Sequence, residues 1–229
     1  MMFHLQRNIL QFAVNASIDT LATNANLKRW GKRSNAKCSS CGARETLHHV
    51  LNHCSSSLDR YAWRHDSIIN HIHNFIASSS KKFVTSSDLP GKMRGISTVP
   101  TEICPTNLRP DIVCVDEGDK NVIMLELTVP FEDNILAAHE RKYNKYDTLI
   151  TDIQDSGYRV TYFALEVGAR GHIDKRNSKT IKSFLKVLDI NSNFNKLKKD
   201  LSNIALIASY IIFHSKYSSS WINPNFINV

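Results

Sequence analysis

Four side chains within a 17-residue stretch have the chemistry to hold a soft metal ion: Cys38, Cys41, His49 and Cys54, in the pattern Cys-x2-Cys-x7-His-x4-Cys. Zn²⁺ takes four tetrahedral ligands, and a Cys-x2-Cys turn delivers two thiolates from one tight loop. The third and fourth ligands fit the first turn of a following helix. His48 and His53 compete for the imidazole position, and the spacing favours His49. Cys104 and Cys114 lie outside the pattern, Cys114 inside an expected strand. Arg7 interrupts the apolar N-terminal residues and no small-residue cleavage pattern follows, so no export signal is expected. The five cysteines are therefore expected as reduced thiols, available to metal rather than paired in disulfides.

A second set is built from carboxylates. Pro110–Val115 and Val122–Val129 are short, β-branched and nearly continuous in apolar content, with Glu117-Gly118-Asp119 as the turn between them. In an antiparallel hairpin, pairing Val115 with Val122 and Val113 with Met124 brings Asp111 opposite Glu126 on the same face. Directly opposed Cβ atoms lie about 4.5 to 5.5 Å apart, close enough for two carboxylates to repel unless a cation lies between them. A hard ion such as Mg²⁺ (or Mn²⁺), with oxygen ligands at about 2.0 to 2.1 Å for Mg²⁺, relieves that conflict. The next segment, from Asp133 or Asn134 to about Asp155, reads as one long helix ended by Ser156-Gly157. Ile135, His139, Leu149, Ile150 and Ile153 share its apolar face, and Lys142 falls within that face, about 40° from its centre at 100° per residue. A lysine aimed at a core is explained when it meets buried carboxylates. Lys142 is the expected functional lysine, with Lys145 as the alternative, and Glu132 at the helix entrance is a candidate further ligand or water holder.

The elements that must position these groups divide near residue 95. Residues 4–23 and 58–76 have helical periodicity, Ser78–Lys82 and a series of prolines break the pattern, and strands and helices alternate afterwards. A third strand is expected over Tyr158–Val167, a loop over Gly168–Gly171, and helices over about 178–188 and 194–213. The order describes an α/β fold with a mixed sheet flanked by helices. The segments are read as 1–35 helical, 36–56 the knuckle, 57–95 a helical linker, 96–215 the α/β domain and 216–229 a tail.

Charge points to the partner. The 229 residues carry a formal net charge of +8, with 42% hydrophobic and 22% charged residues. Lys28 to Arg44 holds six basic residues and no acid, and Arg170 to Asp200 holds nine basic residues against three acids. A nucleic acid is the leading acidic partner. Arg33, Lys37 and Arg44 flank the knuckle, where phosphate contacts would serve. Trp30 could stack on an unpaired base. No run reaches the roughly 18 to 20 apolar residues of a membrane span.

At these residues the chain resembles a known family. Arg109-Pro-Asp111-Ile-Val, Glu126-Leu-Thr-Val-Pro-Phe-Glu132 and Ala138-His-Glu-Arg-Lys142-Tyr-Asn-Lys145-Tyr146 look like the restriction-like endonuclease domain of site-specific non-LTR retrotransposons. The Cys38/Cys41/His49/Cys54 knuckle, with Glu45-Thr-Leu ahead of its histidine, resembles the knuckle preceding that domain in those polyproteins. The resemblance covers roughly residues 1–215. It implies a PD-(D/E)xK fold, a nuclear site of action, and nicking of a target DNA so that the freed 3′-hydroxyl primes reverse transcription. Partners so implied are the DNA target site, the element's RNA and the reverse transcriptase domain of the parent polyprotein, of which this chain would be the C-terminal piece. Asp111 and Glu126 would hold Mg²⁺, Lys142 and Tyr146 would match a helix-borne lysine motif, and Arg109 would approach the DNA. One departure is Thr128, which stands where the fold's usual lysine lies. A decayed element that binds nucleic acid without cutting it is the alternative reading.

Overall fold

The two central strands form where apolar, largely β-branched residues run nearly unbroken, and they are buried on both faces. In the computed structural model, which describes residues 5–229 except Ser192 and Ser219, four strands make one sheet in the order β1-β2-β3-β4. They are β1 (Val84–Ser87), β2 (Ile112–Asp116), β3 (Asn121–Thr128) and β4 (Arg159–Glu166). The pairs β1/β2 and β2/β3 are antiparallel and β3/β4 is parallel, so the sheet is mixed, as expected. The register pairs Val113 with Met124 and Val115 with Val122, the pairing that apolar matching selects.

Alternation along β2 and β3 sends side chains into two cores. Ile112, Cys114, Ile123, Leu125 and Leu127 face α3 (Leu58–Ser79), α6 (Lys175–Val187) and α7 (Phe194–His214). Val113, Val115, Val122 and Met124 face Tyr146, Leu149 and Ile153. Asp111 and Glu126 belong to this second face by the same alternation. A third apolar cluster joins α1 (Arg7–Ser17) to α7 and to Leu47, Val50 and Leu51 beside the cysteines. Among the described residues no helix is long and apolar enough to cross a membrane.

Several elements differ from their expected form. The long helix expected to about Asp155 is two, α4 (Ile135–Tyr143) and α5 (Asp147–Asp155). The break falls at Asn144, a residue whose side chain competes for backbone partners, and it ends at Tyr146, which is fully buried against the sheet. The first helix is shorter than expected and stops at Ser17. A short α2 (Asn24–Arg29) follows, started by Thr23, whose hydroxyl accepts from the Asn26 amide. His4, the expected start of the first helix, lies outside the described residues. Residues 57–95, expected as a helical linker, supply α3 and the sheet strand β1. The last segment is tied down: Arg60 donates to the carbonyls of Ser215 and Ser218, and Trp63 Nε1 donates to the Pro224 carbonyl.

Candidate functional site

Two clusters of reactive side chains are built by different means. The first is local. Lys37 and Arg44 pair as a small antiparallel bridge, the Cys38 amide donates to the Ala43 carbonyl at 2.7 Å, and the Gly42 amide donates back to the Cys38 carbonyl at 2.9 Å. The turn needs a left-handed residue, and Gly42 has φ +78°. A wide helical turn over His49–His53 then presents the imidazole, and Cys54 follows directly before the residues that start α3.

The four ligand atoms of Cys38, Cys41, His49 and Cys54 all lie within 4.8 Å of one another. Cys38 Sγ is 3.9 Å from Cys54 Sγ, Cys54 Sγ is 3.8 Å from Cys41 Sγ, and Cys41 Sγ is 3.3 Å from His49 Nε2. A tetrahedron with metal–sulfur bonds of 2.3 Å has sulfur–sulfur edges of about 3.8 Å. The geometry therefore fits zinc, and His49 is the histidine that joins the thiolates. Burial lowers the His49 pKa, keeping the ring neutral as a metal ligand must be. His48 is engaged elsewhere: it stacks on Phe131, and its Nε2 lies 3.2 Å from Asn134 Nδ2.

Beneath the turn, buried Glu45 accepts from the Asn24 amide at 3.0 Å and from the Tyr217 hydroxyl at 2.9 Å, tying α2 and the chain's last segment to the knuckle. Lys28 and Arg29 of α2 join Lys37 and Arg44 in lining an open cleft of about 740 Å³. Arg33 is exposed nearby in sequence, and Trp30 is exposed rather than packed under the loop.

The second cluster draws on residues far apart in sequence. The ladder ends with Ile112 opposite Leu125, and Asp111 and Glu126 are the next residue on either side of that last pair. The Leu127 amide donates to Asp111 Oδ2 at 2.7 Å, fixing that carboxylate beside β3. Glu126, only 2% exposed, accepts from Lys142 Nζ at 2.5 Å and Lys145 Nζ at 2.7 Å, both on Oε1. The Tyr146 hydroxyl lies 2.9 Å from Glu126 Oε2 and 3.0 Å from the Arg109 carbonyl. Lysines 142 and 145 share one carboxylate oxygen, so the geometry engages both rather than selecting one. The break between α4 and α5 occurs where these three residues turn onto the sheet. Arg109 is exposed, and its backbone, rather than its side chain, meets Tyr146.

Residues that sequence reasoning did not single out complete this cluster. His65 on α3 sets Nε2 3.2 Å from Asp111 Oδ2 and Nδ1 3.2 Å from Asp66 Oδ1. Burial alone would lower its pKa, but two carboxylates, one at each ring nitrogen, raise it to about 10. Burial would likewise raise the Asp111 pKa, yet the His65 charge, the Leu127 amide and Lys142 hold it below the usual carboxylate value. Asp66 is in turn bound by Arg94 at 2.6 Å. No periodic signal marks His65, because its partner lies 46 residues away.

Glu132 does not join the group. Its Oε2 accepts from Arg170 Nε and its Oε1 from the Arg170 amide, each at 2.6 Å. A Cβ at Gly168 would stand 2.5 Å from Glu132 Oε1, so the loop is shaped around this carboxylate. Glu132 closes the 168–171 loop, and no described contact links it to Asp111 or Glu126. Thr128, two positions beyond Glu126, pairs with Glu166 on β4.

No protein-family model matches the chain, and no curated protein matches it either.

Proposed function

We propose that the chain is a divalent-metal-dependent DNA endonuclease of restriction-like fold, related to the nuclease region of non-LTR retrotransposon polyproteins. The observation that carries the reading is that Glu126 on β3 meets Lys142 and Lys145 while Asp111, one residue before β2, is held beside the same strand by the Leu127 amide. A mixed sheet flanked by helices is the frame such enzymes use, and the acids stand at the end of its central hairpin.

The donor set suits a hard cation in kind: two carboxylates, with Asp111 held ionised. Held by Asp111, Glu126 and the Leu127 carbonyl, Mg²⁺ or Mn²⁺ would polarise the scissile phosphate and lower the pKa of a bound water. Lys142 and Lys145 would orient that water and stabilise negative charge developing on the phosphate. Tyr146 would fix the Glu126 carboxylate and, through the Arg109 carbonyl, the turn that carries Asp111. The basic cleft beside the knuckle would track the phosphate backbone of the DNA target or of element RNA. The parent element's reverse transcriptase would be the working partner, in the nucleus.

Incubating the purified chain with supercoiled plasmid tests this directly. Nicking that requires Mg²⁺ or Mn²⁺ and disappears in Asp111→Ala is the expected result. Nicking that survives Asp111→Ala removes the assignment.

One observation favours a second reading, a nucleic-acid-binding chain without nuclease activity. Both Glu126 oxygens are engaged by protein donors, Lys142, Lys145 and Tyr146. Retarded DNA mobility with no cleavage in either Mg²⁺ or Mn²⁺ would decide for it.

A further inference from the structure

Beside the Asp111–Glu126 cluster lies a second carboxylate that the proposed chemistry leaves unused. Glu166, at the end of β4, is 1% exposed. Its Oε1 lies 3.0 Å from His139 Nδ1, its Oε2 accepts from Arg176 Nη2 at 3.0 Å, and its backbone amide donates to Asn177 Oδ1 at 2.9 Å. A carboxylate so enclosed is fixed in orientation.

The register sets this group next to the first. Thr128 pairs with Glu166 as Glu126 pairs with Ala164, and paired side chains share a sheet face. Glu166 therefore points to the same side as Glu126 and Asp111. On α4, His139 and Lys142 are three residues apart and so neighbours on the helix surface. The helix thus lays two side chains over two carboxylates in parallel, His139 on Glu166 and Lys142 on Glu126. Tyr162, on the same face of β4 and level with Met124, holds the helix in place by donating to the Lys142 carbonyl at 2.9 Å.

A carboxylate on Nδ1 of a histidine fixes the ring's tautomer and orientation, the arrangement of a proton-transfer residue. Hydrolysis that leaves a 3′-hydroxyl must deliver one proton to the departing oxygen, and a positioned acid speeds that step. The water oxygen forms a bond to phosphorus and gives up its proton to solvent, the P–O3′ bond breaks, and the departing 3′-oxygen takes up a proton. We propose that His139 supplies that proton, with Glu166 as its positioning residue. The proposal rests on the nuclease reading and adds the leaving-group acid to it.

A leaving group that needs no proton tests this. The position nicked by the wild-type chain is mapped, and duplexes are made with either 3′-oxygen or bridging 3′-sulfur at that bond, assayed with Mn²⁺. His139→Ala should slow cleavage of the oxygen substrate by about 10² to 10³-fold and leave the sulfur substrate within about threefold of wild type. Glu166→Gln should show the same pattern with a smaller loss. His139→Gln, which keeps a polar side chain against Glu166, gives the same readout if the alanine variant unfolds. Equal loss on both substrates, or no loss on either, overturns the proposal while the nuclease reading stands. A wild-type chain that cleaves neither duplex removes both.

Discussion

The knuckle and the acidic cluster answer the same electrostatic problem in opposite ways. At the knuckle, three thiol sulfurs and an imidazole converge within 4.8 Å, and no lysine or arginine is paired with them among the described contacts. At the sheet, Glu126 meets two lysines and Asp111 meets His65. The first cluster needs an ion to be stable as a set of thiolates. The second has its charge balanced before any ion arrives. The Cys3His cluster could hold zinc, whereas under the proposed reading a cation at the sheet would bind weakly, because it would have to displace protein partners.

The largest effect expected from this contrast is on folding. Zinc contributes about 10 to 16 kcal/mol to small metal-folded modules. The chain should carry one equivalent of zinc by mass spectrometry, and Co²⁺ substitution should give the charge-transfer absorption of a thiolate-rich tetrahedral site. Cys41→Ser should cost most of that affinity and expose the 24–57 segment to proteolysis while the sheet domain persists. A metal-free chain with an unchanged proteolysis pattern would contradict the contrast at its first term.

The lysines come next. Because Lys142 and Lys145 reach the same oxygen, each backs up the other. Either single alanine substitution should slow nicking by about tenfold, and the pair together by about 10³-fold. The double variant should nevertheless bind Mn²⁺ more tightly than wild type, since it removes the competing cations from Glu126. Slower nicking together with weaker Mn²⁺ binding would mean that the lysines help hold the ion rather than compete with it.

A smaller effect concerns pH. His65 has a folded-state pKa raised to about 10 from an ordinary value of 6.5, with a carboxylate at each ring nitrogen. A raised folded pKa means stability that is fully present below about pH 6.5 and is lost as pH climbs through about 10. In Mg²⁺-free buffer the denaturation midpoint should fall over that alkaline window, and Asp111→Asn should flatten the dependence. The His65 ring signals should show it still protonated at pH 8. A ring that titrates near its ordinary value breaks the claim that protein cations balance the acidic cluster.

Much of this arrangement was legible in the sequence, and the rest was not for physical reasons. The knuckle is encoded within 17 consecutive positions, so spacing alone identified its ligands. The β2/β3 register follows from matching apolar residues across a short turn, and it ends one residue short of Asp111 and Glu126. Lys142 stood out as a cation on an apolar helical face. His139 lay on that same face and was grouped with the core, because periodicity reports which way a residue points and not what it meets. Glu166, closing an apolar strand, gave no sign of its partners on α4 and α6. The break at Asn144 was missed because residues 142 to 146 keep helical spacing on both sides of it, while the contacts of Tyr146 with the Arg109 carbonyl and Glu126 arise from residues far away in sequence. Strand β1 was overlooked in a Ser-rich segment whose pattern of burial comes from α3 and β2, not from its own composition.

The smallest expected effect is the one that most directly separates the two sites. If the carboxylates are already neutralised by Lys142, Lys145 and His65, the fold gains nothing structural from the divalent ion, and the only stabilisation is that of simple ligand binding. At ten times its dissociation constant, Mg²⁺ should then add about 1.4 kcal/mol, a shift of a few degrees in melting temperature, with no change in the circular dichroism spectrum. Asp111→Ala should abolish that shift without lowering the baseline stability by more than the loss of the His65 pair. A large Mg²⁺-induced gain, comparable to what zinc gives the knuckle, would require the acids to be poorly compensated in the free protein. It would make the sheet cluster a second structural metal centre, and the distinction between the two regions would collapse.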